Sequence, residues 1–156
     1  MRSRQRGTTT VEFAIIAALF LVVLFGVIEV GRALFVWNTL TEATRRGARV
    51  AVVCPVNDPV IARVTVFGDP LSSTTSPILN GLTTGNVQIT YLNQNGSAVA
   101  NPGGAGFIDI RYVQVAITGY QHTLLIPFFT QLITAPSFGT TLPRESMGWG
   151  GCNFPA

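Results

Sequence analysis

The hydrophobic pattern of the chain changes character twice: continuous at first, then one-sided, then alternating. From Phe13 to Ile28, sixteen residues run without a charge, and Thr8 to Ile28 makes 21 predominantly apolar positions. As a helix, that stretch rises about 31 Å, enough to cross a hydrocarbon core of roughly 30 Å. A cleaved secretory signal also has a basic start and an apolar middle. It should then end in a small-residue site, whereas this run passes into GVIEVGRALF and continues as helix. A buried helix of a soluble protein is the other alternative, but few core helices are apolar all round and led in by arginines.

The pattern then becomes one-sided. Ala33, Trp37, Leu40, Thr44, Gly47, Ala48 and Ala51 recur at spacings of three and four and form a helical face made largely of small residues, which a sheet can approach closely. Glu42, Arg45, Arg46 and Arg49 take the other side, where Glu42 can pair with Arg45 or Arg46. Glu29 lies three residues before Arg32, a spacing that allows a structural pair at the outer membrane boundary. Thr8 to about Val53 therefore reads as one helix of about 70 Å, ended by Cys54 and Pro55.

Residues 54–156 read as a small turn-rich head. Asp58 followed by Pro59 is an N-cap with a first-turn proline, and Val60, Ile61, Val64 and Phe67 continue at helical spacing. A short helix is favoured there, although Val64 and Val66 also fit a strand. Residues 69–85 form a loop rich in Ser, Thr, Pro and Gly, and residues 94–106 a second turn-rich loop. Val87, Ile89 and Tyr91 alternate with Gln88, Thr90 and Leu92, as do Val113, Val115 and Ile117 with Gln114, Ala116 and Thr118. An antiparallel sheet of three or four strands on the outer half of the long helix buries those faces, so the expected fold is α+β. Residues 123–133, TLLIPFFTQLI, are too apolar for an exposed loop and should cap the core, or else touch the bilayer or a partner.

Charge narrows the function. All ten basic residues are arginines, and Arg2, Arg4 and Arg6 alone account for the excess over seven acids. The basic balance is an N-terminal effect and does not argue for nucleic acid as a partner. The one histidine, His122, lies beside a strand pattern and reads as a surface or satisfied residue. With no metal-spaced Cys/His cluster, phosphate-binding glycine loop or paired carboxylates, the sequence offers no catalytic, metal or cofactor site. The protein is expected not to be an enzyme.

One acid stands out at the entrance to the apolar run. Glu12 is costly there unless paired, and its register is informative: a cut after Gly7 would make Thr8 the first residue and Glu12 the fifth. A short basic leader ending in Gly, then four residues, Glu, Phe13 and an apolar helix resembles the prepilin pattern of the Flp, or Tad, branch of the type IV pilus family. EATRRGAR, residues 42–49, resembles the motif that follows the membrane helix in TadE-like and TadG-like minor pseudopilins, departing from it at Thr44 and Arg46. The resemblance covers residues 5–53, about a third of the chain.

That resemblance implies a leader at 1–7, a helix at 8–53 with about 8–30 in the membrane and 31–53 on the head, and a head at 54–156. It implies processing by a prepilin peptidase, contacts with other pilin or pseudopilin subunits and an inner-membrane assembly platform, and pairing of Glu12 with the N-terminal amine of a neighbouring subunit. The chain would be a single-pass protein of the cytoplasmic membrane, with its head in the periplasm or outside the cell, or incorporated in a pilus. A membrane-anchored envelope protein with a binding head unrelated to a pilus is the alternative, and a major pilin a weaker third. Cys54 and Cys152, an even pair in an exported head, read as a disulfide, the alternative being two independently buried thiols.

Overall fold

A computed structural model describes residues 5–72, 76, 78–124, 132–148 and 152, and the side chains of all of these but residues 5 and 6. The arginines of the expected leader and most of the 123–133 segment lie outside the described residues or side chains. The architecture is α+β: a long N-terminal helix with a small antiparallel sheet against its outer half.

Helix α1 runs unbroken over Gln5–Ala51, through the Gly7–Thr8 junction and across the whole apolar run. No proline interrupts it, and Leu, Ala, Val and Phe fill its lower half without a polar face. It ends two residues before the position expected from the sequence. There the winding loosens, and Cys54 still donates its backbone N–H to the Val50 carbonyl at 2.9 Å.

Helix α2, Pro59–Phe67, begins as its sequence predicts, with the Asp58 carboxylate accepting from the Val60 N–H at 2.9 Å. It stops at Gly68, whose φ of +73° is the left-handed C-cap conformation that glycine adopts without strain. The sheet consists of β1 (Val87–Leu92), β2 (Tyr112–Ile117) and, following the short strands β3 (Gln121–Thr123) and β4 (Leu132–Thr134), β5 (Phe138–Pro143). Its order is β1-β2-β5, antiparallel throughout, with Ile89 opposite Val115 and Val115 opposite Thr140. Strands β3 and β4 form a separate two-stranded ribbon.

Helix α1 packs on α2, β2 and β5. The expected small-residue face is the one used: Leu40, Thr44, Gly47, Ala48 and Ala51 are buried, joined by Val36 and Ala43, while Ala33 and Trp37 are half-buried. Close approach explains the composition. A Cβ on Gly47 would lie 3.1 Å from Val115 and would overlap the Thr65 hydroxyl of α2 outright. The Thr44 and Thr140 hydroxyls hydrogen-bond each other at 2.9 Å, which lets a polar pair sit inside the contact between helix and sheet. On the far side of α1, Glu42 pairs with Arg45 at 3.6 Å, both exposed, rather than with Arg46, which is half-buried.

The core has two centres. One gathers Ala48, Ala51, Cys54, Ile61, Tyr91, Val113 and Val115 at the outer end of α1. There the Tyr91 hydroxyl accepts from the Asn57 N–H at 2.8 Å, and burial pushes its phenol pKa up. The other gathers Val36, Leu40, Val66, Leu82, Ile117 and Tyr120 nearer the apolar run. Beyond β5 the chain returns to the helix end, where Met147 and Gly148 donate to the carbonyls of Val52 and Val53 at 3.3 and 2.9 Å.

Candidate functional site

The residues singled out by the sequence fall into three places along α1. The lowest is the helix start. Gly7, Thr8, Glu12 and Phe13 are all exposed there, and a Cβ on Gly7 would meet nothing within 4 Å. None of the ion pairs among the described residues includes Glu12. From Gly7 to Ile28 no side chain is buried, and an 18-residue window of this helix reaches a mean hydropathy of 2.9 with no part of it covered by protein. Such a helix is compatible with a single-pass membrane anchor, and no other helix among the described residues is long and apolar enough.

The second place is the point where protein contact begins. Glu29 is only 6% exposed, and so is His122 of β3, which lies 93 residues away in sequence. Their side chains meet at 3.1 Å, Nε2 to Oε1. The same carboxylate oxygen lies 3.3 Å from the Arg32 Nη2, which also donates to the Thr123 carbonyl at 2.7 Å. An Nε2–H that donates to Glu29 cannot also accept from Arg32, although the two nitrogens are 3.2 Å apart. The two Nη2 hydrogens therefore go to Glu29 and Thr123.

A carboxylate this buried needs such partners, because desolvation would otherwise oppose its charge. The Glu29–Arg32 spacing was legible in the sequence, but the part played by His122 was not, since no local pattern links it to α1. Beside the cluster, Arg32, Val36, Asn80, Tyr120 and His122 line a recess of about 350 Å³. Burial raises the Tyr120 phenol pKa, against the pull of the Arg32 charge. Among the described residues, no three His, Cys, Asp or Glu side chains converge in a way that could hold a metal ion.

The third place is the outer helix end. Cys54 is fully buried in the core and is joined to Cys152 by a disulfide with Cα atoms 5.3 Å apart, closing a loop that spans 98 positions. Together with the Met147 and Gly148 hydrogen bonds, it fastens the chain after β5 to the turn that follows α1.

Comparison with known families adds a finding for the helix alone. The model of the TadE-like protein family matches residues 7–49, a stretch that begins at Gly7 and includes Glu12, Glu29, Arg32 and the EATRRGAR segment. Over that stretch the chain is similar to TadE-like proteins, as the resemblance implied. No curated protein and no solved structure matches the chain.

Proposed function

We propose that the chain is a minor pseudopilin of a Tad-type pilus or related secretion fibre: a membrane-held precursor, cut after Gly7 by a prepilin peptidase and assembled with other subunits on an inner-membrane platform. Its head would then lie outside the cytoplasm, where a disulfide persists. The protein is a structural subunit and a substrate in this reading, not a catalyst.

The single observation that carries it is the contrast between two glutamates on one helix. Glu29 is buried and ion-paired by its own chain, while Glu12 projects from the bare part of the helix with no ion pair among the described residues. Cutting after Gly7 would create an ammonium at Thr8, at a helix end that already carries partial positive charge. In an assembled fibre the Glu12 carboxylate supplies the counter-ion for the amine of a neighbouring subunit, and a charge that is costly alone becomes a register mark. The folded head argues against a major pilin of the Flp branch, whose main subunits resemble a bare helix with little or no head.

Substituting Glu12→Ala should permit cleavage, since the leader and apolar run are untouched, yet prevent most incorporation into sheared fibres. Immunoblots of membrane and fibre fractions measure both. Wild-type incorporation of the cleaved mutant would remove the assembly role from Glu12, and a fibre fraction that never contains the wild-type chain would favour an envelope protein unconnected with a pilus.

A further inference from the structure

The β3–β4 ribbon runs down α1 toward the apolar run. Tyr120, just before β3, packs with Val36 and Leu40, and its carbonyl accepts from the Ala135 N–H at 2.8 Å. Two residues later His122 reaches Glu29, and Thr123 reaches Arg32. Because His122 pairs with Ile133 and Thr123 with Leu132, the lower end of the ribbon lies level with the residues that directly follow Ile28, the last position of the uncharged run. At that level two apolar side chains of the ribbon are uncovered: Leu132 is 54% and Ile133 45% exposed. Val30 and Leu34 of α1 are exposed at the same level, on the side of the helix turned away from the ribbon.

We infer that the lower end of this ribbon is a lipid-contacting surface, on which Leu132 and Ile133 enter the interfacial layer of the outer leaflet while the Glu29–Arg32–His122 cluster fixes their depth. This rests on the reading of α1 as a membrane anchor. A helix alone leaves its head free to tilt and rise, because span length sets no single depth. A second, laterally offset contact, tied to α1 by a buried carboxylate, removes that freedom. The chemistry suits the interface: aliphatic side chains at the boundary of the hydrocarbon, and Arg32, partly exposed, at headgroup level. The exposed apolar side chains lie at the one height where a chain anchored by residues 8–28 must meet lipid.

Single-tryptophan reporters in the full chain test this, in a Trp37→Phe, Trp149→Phe background reconstituted into phosphatidylcholine nanodiscs with brominated acyl chains. Circular dichroism and a non-reducing gel establish that each variant keeps its fold and disulfide. Phe20→Trp reports on the span, Leu132→Trp and Ile133→Trp on the ribbon, and Ile108→Trp on an exposed head position outside it. Phe20→Trp should be quenched most by deep bromines. At least one ribbon reporter should lose about half of its emission to bromines near the headgroup and less to deep ones, as for a side chain held at the interface. Ile108→Trp should be unaffected. Quenching of Phe20→Trp with both ribbon reporters as bright as Ile108→Trp would overturn the lipid contact and assign the surface to solvent or another subunit. An unquenched Phe20→Trp would overturn the membrane anchor itself, and the ribbon contact with it.

Discussion

The two halves of α1 share one backbone and solve opposite problems. Above Phe35, small residues face one way and polar or charged ones the other, so the helix buries a stripe against α2, β2 and β5 and keeps its back polar. Below Glu29, Leu, Val, Ile and Phe point in every direction and no part of the described chain covers them. Charge and side-chain size together separate the halves. Gly47 and Ala48 admit a sheet and a second helix at close range, while the larger residues below form a surface suited to a solvent of hydrocarbon. The glutamates mark the same division, since the upper one finds its partners within the fold and the lower one projects from its bare part.

If the halves are independent in this way, substitutions above Glu29 should change the stability of the head and substitutions below it should not. The largest effect is expected from the disulfide. Cys54→Ser, Cys152→Ser and the double mutant should each lose up to about 4 to 5 kcal/mol in the chain-entropy picture, with the three alike because each breaks the same bond. Thermal melts in detergent measure it, and limited proteolysis should cut after β5; an unchanged melting temperature would show that the bond does not hold the head.

Gly47→Ala should follow, at about 2 to 3 kcal/mol of overpacking. The Thr65 hydroxyl it meets donates to the Ile61 carbonyl at 2.7 Å and cannot turn away without giving up that bond. Gly26→Ala is the sharpening control: its Cβ would meet nothing within 4 Å, so the head should melt as wild type does. Equal effects from both glycines would erase the division between the halves.

A smaller loss, about 1 to 2 kcal/mol, is expected for Glu29→Gln, which keeps the shape but weakens charge-assisted bonds to Arg32 and His122. Hydrogen exchange should rise in β3 and β4 and stay unchanged in β1 and β2. Uniform change across the head would mean that the cluster supports the whole fold and not the ribbon.

How much of this was legible follows from the range of each interaction. The long helix, the cap of α2 and strands β1 and β2 are written in neighbouring residues, as apolar periodicity, Asp58–Pro59 and strict alternation. The strand β5 escaped because FGTTLP carries a glycine, two threonines and a proline and shows little apolar contrast. It becomes a strand by pairing with β2, and its inward Thr140 is matched to Thr44 of α1 instead of to an aliphatic neighbour. The cysteine pair was legible from parity and the expected compartment. The junction of Glu29 with His122 was not, because only the three-dimensional descent of the ribbon brings β3 beside α1.

Whether the mature α1 begins at Thr8, as assembly would require, can be read from the intact mass of the chain isolated from its own membranes. The expected mass lacks residues 1–7, with an amino-terminal Thr8, and a Gly7→Val variant should keep the longer form, because its side chain would obstruct close approach of the peptidase. A wild-type chain that keeps Met1 to Gly7 in cells with an active prepilin peptidase, or a Gly7→Val chain cut as wild type is, would contradict processing after Gly7.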